Sequence, residues 1–342
     1  MSIAKALLRV GGGSLSRLIN RDLLLIFGYH RVRPAGSLET PFDEGVFGPS
    51  PQELHRHIEL LKKFTTVLGE ADLIAAVRGD PLPGNGPYSM ITFDDAYVDN
   101  FELALPVLQE LSVPATFFVP AHLIENRQLG WWDQIAFVVK NCKMPSIQFR
   151  GETIDLAGRR QDAIRGFFNM MKLMPHTQTS SLIEELSEAA ESPAPTTDLM
   201  DRELMSWDQL AQAHKSGITL GSHTCTHRVL ATLSDSEQAE EISESRRFIE
   251  NRLGIQVKSI AFPVGGVRQF NRRTVELSEE AGYDLAFSFN TGAARAGAFD
   301  RYAIPRLAPP TPTDEFNALL HFPRLMDYRT TPWPGSLLRE SP

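Results

Sequence analysis

The stretch Tyr88-Ser89-Met90-Ile91-Thr92-Phe93-Asp94-Asp95 is an apolar strand that runs directly into two adjacent carboxylates. Its strand part reads as buried on both faces, the pattern of a parallel sheet covered by helices. Upstream, Leu23-Leu24-Leu25-Ile26-Phe27 is another such run, and Ser50-Pro51 opens a helix with Leu54, Ile58 and Leu61 on one stripe. Downstream, Asn100 to Leu111 reads as a helix and Ala115 to Val119 as a strand. The alternation resumes at Ser206-Trp207-Asp208-Gln209, a capping box whose helix Gly217 stops before the strand Ile218-Thr219-Leu220. Ser234 and Glu237 cap a long helix closed by Gly254. Val257 to Phe262, Leu285 to Phe289 and Ala303 to Leu307 supply further strands, with a helix over Arg272 to Ala281.

Strands alternating with helices imply right-handed crossovers and a parallel sheet. About eight candidate strands suit a closed or nearly closed β/α barrel. A doubly wound open sheet competes, but no G-x-G-x-x-G or P-loop follows any strand. The expected fold is therefore α/β, a (β/α)7-8 barrel. Residues 130–204 break the alternation with Trp131-Trp132, a short β-like piece around Ile147 to Ile154 and two helical stretches, and read as a mainly helical insertion. The expected organisation is a separate segment at 1–22 and one barrel domain over 23–342.

Of the 342 residues, 42% are hydrophobic and 22% charged, which excludes pervasive disorder and rod-like folds. A formal charge of −8 argues against nucleic acid as partner. The two cysteines, Cys142 and Cys225, are too few for a disulfide framework or a cysteine-based zinc site. In the first 21 residues, Lys5, Arg9, Arg17 and Arg21 interleave with apolar side chains, and Gly11-Gly12-Gly13 interrupts any signal-peptide core. This amphipathic segment either touches a membrane surface peripherally or plugs one end of the domain. With no export signal, a cytoplasmic location is expected, at the inner membrane face if the segment binds lipid. Oligomeric state is not readable.

Parallel barrels place their chemistry where the strands end. The polar residues at those ends are His30, Asp94, Asp95, His223, His227 and Arg306. Burying adjacent carboxylates costs several kcal/mol unless they are paired or metal-bound. His223 and His227, four residues apart, fall on one face of a helical turn and reach one ion. With Asp95 they make a one-carboxylate, two-imidazole set that leaves coordination positions open, as a catalytic metal requires.

Thr92-Phe93-Asp94-Asp95 and Ser222-His223-Thr224-Cys225-Thr226-His227 resemble the first two motifs of the polysaccharide deacetylases, the NodB-homology or carbohydrate esterase family 4 group. Leu25-Ile26-Phe27-Gly28-Tyr29-His30-Arg31-Val32 is similar to the opening strand of the poly-N-acetylglucosamine deacetylase branch. The resemblance spans about Leu23 to Leu307, apart from the insertion. It implies a distorted (β/α)7-type barrel that removes N-acetyl, or in some branches O-acetyl, groups from an acetylated glycan or amino sugar. It also implies Asp94 as base and Asp95, His223 and His227 as ligands of a divalent metal, zinc by preference, with cobalt or nickel as alternatives. A backbone N–H near Tyr97 would help hold the oxyanion.

Three departures stand out. Ala96 replaces a usual glycine. Ala261-Phe262-Pro263-Val264-Gly265-Gly266 lacks the arginine usual before the proline, and Arg306 is the candidate to pair with Asp94 instead. The late histidine that serves as general acid has no clear match, because His321 falls in a helical stretch beyond the last strand. His30 becomes the candidate acid or substrate ligand. Trp131 and Trp132 read equally as a sugar platform or as buried glue, and Pro263 borders the substrate side. A catalytically silent glycan-binding barrel and a same-superfamily hydrolase of a non-sugar amide remain as alternatives.

Overall fold

In the computed structural model, which describes residues 13–34, 40–174, 178–192 and 195–323, the apolar runs become the staves of a barrel. The strands are β1 (Leu23–Tyr29), β2 (Thr66–Leu68), β3 (Tyr88–Phe93), β4 (Thr116–Val119), β5 (Ser146–Phe149), β6 (Glu152–Asp155), β7 (Thr219–Ser222), β8 (Ser259–Ala261), β9 (Leu285–Phe287) and β10 (Ala294–Arg295). All seven residues of β1 are buried, as an unbroken apolar run demands. From β1 the order runs β3, β4, β7, β8, β9, every pairing parallel.

The segment expected as the last strand closes the ring. Ile304 bridges to Phe287 of β9 and Leu307 to Phe27 of β1, both in parallel. The Ser288 N–H donates to the Ile304 carbonyl and the Leu307 N–H to the Ile26 carbonyl, each at 2.8 Å. Pro305 removes a donor between them, so the segment makes isolated bridges rather than a ladder.

The helix expected at Ser50-Pro51 forms over Pro51–Phe64 with a full Ser50/Glu53 capping box. The Ser206/Gln209 and Ser234/Glu237 boxes also form, and Gly254 ends its helix left-handed at φ 66°. Among the elements with no sequence expectation are β2 and the helix Glu70–Val77 that follows it. Leu73 and Ile74 of that helix join Leu24, Ile26, Met90, Phe118 and Phe287 in the barrel interior, sealing its N-terminal end. A three-residue strand is too short to show a period.

The insertion holds the β5–β6 hairpin and four helices, Trp131–Asn141, Arg160–Met171, Thr179–Ala189 and Thr197–Glu203, two more than expected. Its Ile135, Val138, Ile164 and Leu182 share one core with the outside of the barrel, so it is packed onto the barrel. Of the N-terminal segment, residues 1–12 lie outside the described residues. Gly13–Ile19 is a helix docked on the helix Thr313–His321, with Ser16 Oγ 2.5 Å from His321 Nδ1 and Asn20 Nδ2 donating to the His321 carbonyl at 2.9 Å. No helix among the described residues is long and apolar enough to cross a membrane.

Candidate active site

At the C-terminal rim the Asp94 N–H continues the sheet by donating to the Tyr29 carbonyl, 2.9 Å away. The Asp94 carboxylate is buried and takes both arms of Arg306, Nη1 to Oδ1 at 2.7 Å and Nη2 to Oδ2 at 2.8 Å. Arg306 is itself fixed by donating Nε to the Ser288 carbonyl at 3.1 Å and Nη1 to Thr92 Oγ1 at 3.2 Å. Gly28 makes the close packing here possible, since a Cβ at that position would lie 2.7 Å from the Phe289 ring. Burial pushes the Asp94 carboxyl up, but Arg306, helped by His223, more than offsets this and holds it well below the usual carboxylate range. The pairing expected of Arg306 is present.

Asp95 lies on the other side of a sharp reversal, with φ 72° at Asp95 and 53° at Ala96. Its Oδ1 is 3.5 Å from His223 Nε2 and 3.4 Å from His227 Nε2, and one ligand atom from each of the three residues falls within 4.8 Å of the others. The two histidines converge without the helical turn that their spacing suggested. Residues 223–227 form a loop with left-handed backbone at Thr224 (φ 63°) and His227 (φ 56°). Glu241, from the long helix Asp235–Leu253, braces this loop by accepting from the Cys225 and Thr226 N–H groups at 3.0 and 2.9 Å and from the Thr226 hydroxyl. Of nine non-glycine residues with positive φ among the described residues, Asp95, Ala96, Thr224, His227 and Val264 border this site. Such strain persists only where the surroundings over-determine it. A glycine in place of Ala96 would adopt this conformation without strain.

The donor set fits a divalent cation. Asp95 Oδ1 is buried without a hydrogen-bond partner, and burial with the neighbouring Asp94 pushes its carboxyl well above the usual range. Burial drives His223 down to about 4, against the pull of Asp94, and drives His227 well below its ordinary value. His223 Nδ1 lies 2.8 Å from the Ala261 carbonyl, which as acceptor leaves Nε2 as a lone-pair ligand facing Asp95. Neutral imidazoles converging on a buried carboxylate oxygen are the ligand forms that such a cation takes.

A cavity of about 230 Å³ opens over these groups. His30 stands on its wall, 28% exposed, with Nε2 3.9 Å from Asp94 Oδ2. Trp131 and Trp132 both line it. Trp132 is buried, its ring 4.2 Å from that of His227 and its indole N–H donating to the Tyr97 hydroxyl at 2.8 Å, so it serves as both wall and glue. The Tyr97 hydroxyl donates in turn to Asp133 Oδ2 at 2.8 Å, which leaves this buried side chain supporting Trp132 from behind rather than facing the cavity. Val264, with φ 60°, lines the wall in place of its buried neighbour Pro263. His321 is far from this rim, held at the N-terminal helix and edge-on to Phe64. Beyond Trp131 a second hollow of about 540 Å³, lined also by Thr226, Arg228, Ile183 and Glu184, runs between barrel and insertion.

Sequence reasoning missed the supports. Arg31 is buried, with its guanidinium carbon 4.1 Å from the Tyr97 ring centre, Nε donating to Asp99 Oδ2 at 3.1 Å and Nη2 bonded to Glu203 at the end of the insertion. Asp133 and Glu241 follow or face motif residues, but only the fold reveals that they brace them.

Comparison with known proteins gives a consistent picture. The family model described as polysaccharide deacetylase matches residues 83–286. YxkH of Bacillus subtilis (strain 168), provisionally named a polysaccharide deacetylase, is 30% identical over 274 residues, covering 79% of this chain and 66% of its own length. Among solved structures, a Streptococcus pyogenes deacetylase, PplD, in complex with acetate superposes with a TM-score of 0.58 at 16% identity, covering 91% of this chain and 100% of its own. IcaB from Ammonifex degensii gives 0.56 at 17% identity, with 88% and 97% covered. A de-N-acetylase from Aggregatibacter actinomycetemcomitans gives 0.55 at 15%, with 85% and 96% covered. At these identities the solved structures bear on the fold alone, and that fold is the barrel described above.

Proposed function

The chain belongs to the polysaccharide deacetylase family, hydrolases of acetyl amide bonds, and on that premise we propose that it removes N-acetyl groups from an amino-sugar glycan or its precursor. The observation that carries this reading is the Asp94–Arg306 fork, 2.7 and 2.8 Å, standing beside the Asp95, His223 and His227 cluster in one cavity. Two neighbouring carboxyls are thereby given opposite tasks by their surroundings.

Asp95, His223 and His227 would hold a divalent cation, zinc by the nitrogen and oxygen donors available, which when bound polarises a carbonyl and acidifies water. Asp94, kept ionised by Arg306, accepts the proton of the attacking water. The two-armed pairing also fixes the carboxylate plane, so the base meets its proton in one orientation. His30, beside this pair with Nε2 3.9 Å from Asp94 Oδ2, supplies the proton to the departing amine. Burial is the largest influence on its imidazole and lowers its pKa, with Arg306 adding to this, while Asp94 and Asp43 oppose it without reversing it. Trp131 presents an aromatic wall on which a sugar ring stacks, and the hollow beyond it receives the rest of the glycan. The cavity at the cluster, below the ~300–1,000 Å³ of sites for drug-sized ligands, holds about one sugar residue.

The test is acetate release from N-acetylated and O-acetylated oligosaccharides by purified protein supplied with zinc or cobalt. Release from the N-acetylated substrate is expected. No release from any acetylated glycan would leave a barrel that only binds sugar, and faster hydrolysis of a non-sugar amide would contradict the substrate class.

A further inference from the structure

The wall of the active-site cavity that faces away from the barrel is cationic. The helix Arg160–Met171 and the residue that ends it bring Arg165 and Lys172 to the cavity lining. Seven residues apart, they project from one side of the helix about two turns from each other. Arg165 is exposed and sits 3.5 Å from Asp43 Oδ1, the one acid on this side of the lining. Lys172 is half-buried, and among the described residues its ammonium makes no hydrogen bond or ion pair. Asp94 and Asp95 are already committed, the first to Arg306 and the second to the histidine cluster.

On this outer wall, Arg165 and Lys172 face the single carboxylate of Asp43, so one positive charge is left over there. This surplus runs against the overall balance of a chain whose formal charge is −8. A structural role as helix C-terminal charge explains part of Lys172. It does not explain why Lys172 is half-buried and lines the same cavity as Arg165, where an amphipathic lysine normally keeps its charged end in water. Burial and Arg165 both push its pKa down, and Asp43 offsets them only in part. An ammonium held there without an acceptor is set for one that arrives with the ligand.

We propose that the substrate carries an anionic group on or next to the sugar whose acetyl is removed, and that Lys172, seconded by Arg165, receives it. The chemistry shared by the possible sources is an oxyanion, either a sugar phosphate or phosphodiester or a sugar-linked carboxylate. The cavity of about 230 Å³ places that oxyanion within one sugar residue of the acetamide. This inference rests on the deacetylase reading above and narrows it from acetylated glycans at large to anionic ones.

The experiment is calorimetric binding by the full chain, supplied with zinc, of N-acetylglucosamine, N-acetylglucosamine 1-phosphate and N-acetylglucosamine bearing a lactyl carboxylate. At least one anionic ligand is expected to bind about tenfold or more tighter than the neutral sugar, the size of one charge-assisted contact. A phosphate-only or carboxylate-only preference identifies the source. In Lys172→Gln the ratio of anionic to neutral affinity is expected to fall most of the way to one, and in Arg165→Gln by less, because that side chain is exposed and shared with Asp43. In wild type the ratio is expected to shrink as ionic strength rises, a readout that needs no variant to fold. Equal affinities would overturn the proposal. So would a preference that survives Lys172→Gln/Arg165→Gln, since the anion would then be sitting on the histidine cluster. Acetate release from the neutral sugar separates the two levels: if it occurs without anionic preference, this inference alone fails; if anions bind selectively but no acetate appears, the deacetylase reading fails.

Discussion

The two ends of the barrel interior each bury a carboxyl group, and they treat it in opposite ways. At the C-terminal end Asp94 meets the fork of Arg306 and stays ionised. At the N-terminal end Glu70, first residue of the sealing helix, meets only the hydroxyl of Ser259 and burial raises its pKa to about 7. Desolvation is the largest influence on both, so the difference lies in the partner: a guanidinium outweighs burial and a hydroxyl does not. Left-handed backbone, converging imidazoles and a leftover positive charge also collect at the first end, whereas the second is closed by Leu73 and Ile74. One end is built for chemistry and the other for closure.

The contrast is broken most severely by Asp94→Asn, which keeps the shape but removes the carboxylate proposed as base. Acetate release is expected to fall by about 10²–10⁴-fold, while Glu70→Gln releases acetate at the wild-type level. Equal activity in Asp94→Asn and wild type would remove Asp94 from its role. Next in size, Arg306→Met leaves the Asp94 charge buried without a partner, and chemical denaturation at neutral pH is expected to show a loss of about 3–5 kcal/mol. A loss of only a few tenths would mean that the pair contributes nothing to the barrel.

The two carboxyls also predict opposite pH behaviour. Asp94 has a folded pKa below its unfolded one, so its contribution is complete above the unfolded value and is lost only as pH falls toward the lower, folded one. Glu70 has a folded pKa near 7 against an ordinary 4.5, so between those values the unfolded chain releases its proton first. Stability therefore declines as pH rises from 4.5 to 7, by up to about 3 kcal/mol, and is flat beyond. Glu70→Gln is expected to abolish that decline in denaturation curves taken across the window; an unchanged slope would assign it to other groups. Smallest of the four, Gly28→Ala introduces a methyl 2.7 Å from Phe289 beside Arg306. It is expected to cost about 1–3 kcal/mol by overpacking and to lower acetate release with it, whereas unaltered melting and turnover would show that Phe289 simply moves aside.

Much of the barrel was legible because its strands are unbroken apolar runs and its helices open with capping boxes, signals that local chemistry writes into neighbouring residues. The elements without such signals went unseen. β2 is three residues long, and the Glu70–Val77 helix seals the barrel only because β2 delivers it there. At the site, Asp94, Asp95, His223, His227 and Arg306 could be placed together because each follows, or lies in, a strand that ends at the same rim. The spacing of His223 and His227 suggested a helical turn, but left-handed backbone at Thr224 and His227, braced by Glu241, brings them together instead. Tyr97 and Pro263 stood two residues and one residue from the lining residues Asp95 and Val264 without lining the cavity, a distinction of side-chain direction that sequence proximity does not carry. Arg31, Asp133 and Glu241 act through contacts made 15 or more residues away in the chain, as Glu241 does with Thr226, and no local pattern marks them.

The most direct measurement of the central claim is metal content by elemental analysis after dialysis against micromolar zinc, on wild type beside His223→Ala. The arrangement of Asp95, His223 and His227 predicts one divalent ion per wild-type chain and a large loss in the variant, with the circular dichroism of both unchanged. Metal-free wild type under these conditions, or equal zinc in the two proteins, would contradict it.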